Sequence, residues 1–150
     1  MRVVLQRVKN SNVKIADEIV GEIESGILVL LGVEDADTEE DIDWLVRKIS
    51  RIRIFDDADG VMNLSLLDTG KQALVVSQFT LHASTRKGNR PSYIKAAKPE
   101  FAEPMYKKFV AALEQEIGKS VPTGEFGAMM DVSLVNDGPV TIIIDSKIRE

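Results

Sequence analysis

The sequence predicts an α+β fold built on a mainly antiparallel sheet. Two segments, Thr38 to Ile52 and Pro99 to Ile117, repeat apolar residues at helical spacing. The other apolar runs are short, alternating or continuous in the manner of strands, and only these two substantial helices separate them.

Taken in order, Arg2 to Val8 is a strand, and Val13 and Ile15 followed by Ile19, Val20 and Ile23 continue as a meander of short strands. Gly26 marks a turn, and Ile27 to Val33 is a continuous apolar strand, the pattern of one covered on both faces. Thr38-x-x-Asp41 has the form of a capping box and opens a helix whose apolar positions are Ile42, Leu45, Val46, Ile49 and Ile52. Asp56-Asp57-Ala58-Asp59-Gly60 is a turn, without the ligand spacing and closing glutamate of a calcium loop. Ala73 to Phe79 is a second buried strand. Pro99 to Ile117 carries Phe101, Met105, Phe109, Leu113 and Ile117 on one stripe, with Gly118 as its stop; Pro104 either kinks this helix or marks its start. Two final strands, about Met130 to Val135 and Val140 to Asp145, are joined through Asn136-Asp137-Gly138-Pro139. With no repeat, low-complexity tract or linker, the 150 residues are expected to form one domain.

Composition narrows the function. At 44% hydrophobic and 5% aromatic, the core is built mainly from Val, Ile, Leu and Ala. The absence of cysteine excludes a disulfide scaffold, a thiolate zinc site and a cysteine nucleophile, and a single histidine, His82, excludes a histidine-rich metal cluster. No run is long enough to span a bilayer and the N-terminus lacks a signal-peptide core, so the expectation is a soluble cytoplasmic protein that needs neither metal nor cofactor. The net charge of −5 is unevenly spread. From Asp68 to Glu100 no carboxylate intervenes, while Lys71, Arg86, Lys87, Arg90, Lys95 and Lys98 do. Glu34 to Asp43, an acidic block without a base, has the character of a solvated face. The basic stretch differs, because its cations flank Ser84, Thr85, Gly88, Asn89 and Ser92, a composition able to offer backbone N–H groups and cations together to a phosphate.

Chemistry could sit where the apolar strand Ala73-Leu74-Val75-Val76 turns polar at Ser77-Gln78-Phe79-Thr80, since groups at the end of a buried strand are well held. Gly138-Pro139, at a tight inter-strand turn, is the place in this chain most suited to a cis peptide bond, although a trans turn that merely ends a ladder is the commoner outcome. A Ser–His–Asp arrangement through His82 and Ser77 or Ser84 lacks any nearby acid, and a surface histidine is the commoner outcome. Thr80 equally lacks a local carboxylate to act as its base.

Ser77-Gln78-Phe79-Thr80-Leu81, Arg90-Pro91-Ser92 and Asn136-Asp137-Gly138-Pro139-Val140-Thr141 together resemble the D-aminoacyl-tRNA deacylase (D-tyrosyl-tRNA deacylase) family. Val4-Leu5-Gln6-Arg7-Val8, Leu30-Leu31-Gly32-Val33 and Arg53-Ile54-Phe55 with Met62-Asn63 extend the similarity over nearly the whole chain. The resemblance implies a barrel-like sheet with two main helices packed on it, and a homodimer with active sites at the subunit interface. It implies hydrolysis of the ester joining a D-amino acid, or glycine, to the 3′-terminal adenosine of tRNA. Thr80, Gln78 and Phe79 are then the catalytic group, with Ser77 beside them. Gly138 and Pro139 enter the partner's pocket and exclude L-amino acids with their carbonyl oxygens, supported by Arg7. Arg86, Lys87, Arg90 and Lys95 lie on the tRNA side, where phosphates supply sequence-independent affinity. Whether Thr80 attacks covalently or positions water does not follow from the resemblance; the missing local base favours water. A non-catalytic RNA-binding module and a small-molecule esterase using His82 are the rival readings, the former disfavoured by the scarcity of aromatic residues.

Overall fold

The computed structural model describes residues 1–149. The chain opens with β1, Arg2–Ile15, a single strand where a strand followed by a meander was expected. The polar stretch after Val8 does not end it, because Ser11 is buried and donates its hydroxyl to the Ser133 carbonyl at 2.8 Å. Ala16 and Asp17, both at positive φ, form a two-residue turn into β2, Glu18–Ile23. Strand β3, Gly26–Gly32, pairs antiparallel with the first half of β1, while β2 pairs with its second half.

The capping box forms as expected and opens α1, Glu39–Arg51. Asp41 returns its carboxylate to the Thr38 backbone N–H at 2.8 Å. A small hairpin of β4, Phe55–Asp56, and β5, Met62–Leu64, encloses the acidic turn, and one helical turn, α2, Leu66–Thr69, follows; sequence periodicity was too short to reveal these. Strand β6, Gln72–Ser77, lies parallel to β3, so the sheet is mixed, with antiparallel pairs predominating. Helix α3, Pro99–Ile117, starts at Pro99, runs through Pro104 and stops at Gly118 in the left-handed conformation. Phe101 departs from the anticipated stripe and is exposed, whereas Ala102 and Tyr106 join Met105, Phe109 and Leu113 in the core.

The last strand, β7, Asp131–Asp145, is also single: the expected hairpin at Asn136 to Pro139 is an interruption within one strand. Both of its halves pair antiparallel with β1, Lys14 to Val8 against Asp131 to Asn136 and Gln6 to Arg2 against Thr141 to Asp145. Opposite Arg7 alone, the four residues Asp137 to Val140 bulge out of the ladder.

The curled sheet buries one face against the helices, with Val3, Leu5, Val29, Leu31 and Val75 meeting Leu45, Ile49, Phe109 and Leu113. On its other face Val8, Val13, Ile23, Leu28, Leu74 and Val76 form a smaller cluster, so β3 and β6 are covered on both sides. Curling brings backbones very close: a Cβ at Gly21 would fall 2.4 Å from the Thr123 carbonyl oxygen, which restricts that position to glycine. Among the described residues no helix is long and apolar enough to cross a membrane.

Candidate active site

Strand β6 ends at Ser77, two residues earlier than expected, and Phe79–His82 make a 3₁₀ turn. The turn is anchored where it meets the sheet, with the Gln78 N–H donating to the Leu31 carbonyl at 2.7 Å and Arg2 Nη1 donating to the Leu81 carbonyl at 2.8 Å. Ser77, Gln78 and Phe79 consequently form one wall of a cavity of about 380 Å³. Leu31, Ala97, Ala102, Tyr106 and Phe126 supply its apolar floor and far side, and Tyr93 its rim. Tyr106 is fixed by donating its hydroxyl to the Val75 carbonyl at 3.1 Å, and burial pushes its pKa up to about 12. The Tyr106 and Phe126 rings pack at 5.8 Å between centroids. The N-terminal end of α3, at Lys98 and Pro99, also faces the cavity, so its dipole makes that side favourable to negative charge.

Thr80 does not itself line the cavity. It is half-buried, and the Gln78 side-chain amide donates a hydrogen bond to its hydroxyl oxygen. Among the described residues Thr80 Oγ1 has no carboxylate or imidazole partner that could act as its base. His82, expected on the surface, is instead buried at 2% exposure with Nε2 unpartnered, packed beneath Gly32. That position leaves it outside the cavity, and the arrangement of His82 with Ser77 or Ser84 is not formed.

The remaining singled-out residues divide into two places. Ser84 and Ser92 exchange backbone hydrogen bonds at 2.8 and 2.9 Å, closing a loop that holds Arg86, Lys87 and Arg90 in solvent next to Tyr93 and Lys95. None of these four cations has an ion-pair partner among the described residues. Gly138 and Pro139 lie elsewhere, exposed on the bulge of β7 and outside the cavity wall of their own chain, with the peptide bond between them cis. Arg7, only 7% exposed, reaches into the bulge: Nε donates to the Asp137 carbonyl at 2.9 Å and Nη1 to the Ile54 carbonyl at 2.6 Å. Gly138 sits at φ 125°, and a Cβ there would approach Arg7 Nη2 to 2.6 Å, so both backbone and space require glycine.

Sequence reasoning did not single out Tyr93, Tyr106 or Phe126. Phe126 stands between Gly124 and Gly127 in Thr123-Gly124-Glu125-Phe126-Gly127, and an aromatic residue held between turn-forming glycines was the available signal.

Residues 4–145 match the family model described as D-Tyr-tRNA(Tyr) deacylase. The chain is 61% identical to a D-aminoacyl-tRNA deacylase of Flavobacterium johnsoniae and 55% identical to one of Dechloromonas aromatica, each alignment covering the full length of both chains. Among solved structures it is similar to one titled c-Myc DNA Unwinding Element Binding Protein, with a TM-score of 0.91 and 38% identity over 97% of this chain and 98% of that one. A probable eukaryotic D-amino acid tRNA deacylase shares the fold, with a TM-score of 0.84 at 18% identity over 95% of this chain and 97% of that one.

Proposed function

The chain belongs to the D-Tyr-tRNA(Tyr) deacylase family, and from that premise we propose that it is a hydrolase of D-aminoacyl-tRNA. Water adds to the carbonyl carbon of the ester between a D-amino acid, or glycine, and the 3′-terminal adenosine. The bond to the ribose oxygen breaks, that oxygen takes up a proton, and free tRNA and the amino acid leave. The reading assigns the work to the cytoplasm and asks for no cofactor.

The observation that carries the proposal is the cavity walled by Ser77, Gln78 and Phe79, with Tyr93, next to the cationic loop in the chain, in its lining. Its apolar far side suits a nucleoside, and Gln78 in its wall, hydrogen-bonded to Thr80 behind it, is suited to meet the ester. A protonated Thr80 hydroxyl suits donation to the ester or orientation of water, with the ribose 2′-hydroxyl assisting, better than covalent attack. Arg86, Lys87, Arg90 and Lys95 then meet acceptor-stem phosphates.

Gly138 and Pro139 stand outside the cavity of their own chain, which supports a reading in which they serve a second copy. In the resulting homodimer each bulge enters the partner's cavity and its carbonyl oxygens occupy the space an L side chain would need, whereas D-amino acids and glycine pass. Arg7 holds the bulge from behind. A module that only binds nucleic acid has no need of the Gln78–Thr80 pair.

Release of a labelled D-amino acid from its tRNA, with the matched L-substrate alongside, tests the proposal. Rapid release of the D form alone is expected; equal rates for both, or no release, would overturn it.

A further inference from the structure

Phe79 and Tyr93 meet edge to face at the rim of the cavity, with ring centroids 5.2 Å apart and planes inclined at 73°. Both stay open to solvent, Phe79 at 56% and Tyr93 at 41% exposure, and Ile94 beside them is 88% exposed. Aromatic rings usually bury most of their area, so two left open together, in a chain with so few aromatics, mark a surface that something else covers. The adjoining exposed cations Arg86, Lys87, Arg90 and Lys95 favour a polyanion with flat apolar faces over the partner's bulge as the group that covers this rim, and that is the chemistry of unpaired nucleotides.

We infer that Tyr93, braced edge-on by Phe79, is a stacking platform for the nucleobase immediately preceding the terminal adenosine. The inference rests on the tRNA-deacylase reading and adds to it a second base site outside the cavity. With the terminal nucleoside inside and its ester at Gln78, the preceding nucleotide is left at the mouth, and the cations lie on the Tyr93 side of that mouth. The inclined pairing leaves ring face available, so a base can stack without separating the two side chains. Stacking is tolerant of base identity, and a site of this kind recognises an unpaired 3′ end without selecting among tRNAs.

The test is a two-by-two comparison of D-aminoacyl-tRNA carrying either its normal penultimate nucleotide or an abasic one, with wild-type protein and Tyr93→Ala. Replacing the base or the tyrosine should each raise KM roughly 5- to 150-fold, the range associated with one stacked base. The two changes together should cost little more than either alone, and Tyr93→Phe should restore most of the affinity. Independent, multiplying effects would overturn the inference and make Tyr93 a packing support for the cavity. So would indifference of the wild-type protein to the abasic substrate. In both cases wild-type cleavage of the normal substrate leaves the deacylase reading standing, whereas failure to cleave that substrate removes both.

Discussion

The Nε of Arg7 lies 2.9 Å from the backbone carbonyl oxygen of Asp137, so a buried guanidinium from the middle of β1 holds the residue that leads into Gly138. The same guanidinium binds the Ile54 carbonyl and lies 3.4 Å from an Asp56 carboxylate oxygen, which ties the bulge to the start of the β4–β5 hairpin. Removing it strands two partly or fully buried carbonyls. Arg7→Ala should therefore destabilise the protein by about 2–4 kcal/mol and depress deacylation further, with Arg7→Lys intermediate in both. Urea unfolding and single-turnover cleavage check this; a fully stable, fully active alanine variant would mean that the bulge holds its own shape.

Thr80 separates two chemistries. As a proton donor or water-orienting group its replacement by alanine should slow cleavage by about 10²–10³, with Thr80→Ser retaining most of the rate. Mass spectrometry of the protein quenched during turnover should find no aminoacyl adduct. An adduct on Thr80 would establish the covalent route.

The cationic loop should act on affinity alone. Changing Arg86, Lys87 and Arg90 together to alanine should lower the log–log salt slope of tRNA binding by about 0.7–0.9 for each phosphate that is no longer neutralised. Preference for D over L substrates should be unaffected, since these residues stand outside the cavity wall. An unchanged slope would show the loop to be a solvated surface.

Two inactive variants should repair one another. Gly138→Ala distorts the bulge, through both its φ and its approach to Arg7, while Thr80→Ala disables the cavity. If each site draws on two chains, random exchange between the variants leaves roughly one site in four intact, and about a quarter of wild-type activity should return. No recovery, despite exchange confirmed by mass spectrometry, would place the whole site within one chain.

Acid sensitivity should trace to the start of α1. Burial alone would raise the Asp41 pKa, but Lys147 at 2.7 Å and the Thr38 donors override it and hold the carboxyl well below its ordinary value of 3.8. Its contribution to stability is thus complete above about pH 4 and fades as the pH falls through the lower folded-state value. Lys147, raised above 10.5 by the same pair, keeps its contribution below that pH and loses it in stronger alkali. Asp41→Ala should cost about 1–2 kcal/mol at neutral pH, with the difference from wild type shrinking below pH 4. A pH-independent difference would assign the loss to packing.

Both large helices were legible because their signals are local: the Thr38–Asp41 box, Pro99 at a first turn and Gly118 at a stop all act within a few residues. The errors arose where a distant partner decides. Polar residues after Val8 and at Asn136 to Pro139 look like strand ends in sequence, yet β1 and β7 run through them because each supplies the other's ladder. Ser77 to Phe79 could be chosen from the change from apolar to polar, but the 3₁₀ turn that moves Thr80 behind the wall depends on the bonds made to Leu31 and by Arg2. Burial of His82 follows from the closeness of Gly32, to which no local pattern points. The Arg7–Asp137 hydrogen bond joins residues at opposite ends of the chain; the family resemblance named Arg7 as the support of the Gly138-Pro139 loop, whereas local periodicity points to no such pairing.

Because β7 resumes its pairing with β1 on both sides of the bulge, the segment between Asn136 and Thr141 is measured against the one residue, Arg7, that it spans. An inserted or deleted residue there could not be absorbed by sliding the strand, since a shift of one position on either side would turn that half's side chains to the opposite face of the sheet. The length of the interval is therefore fixed as firmly as the glycine within it, and an engineered loop grafted at this point must keep the same number of residues as well as Gly138.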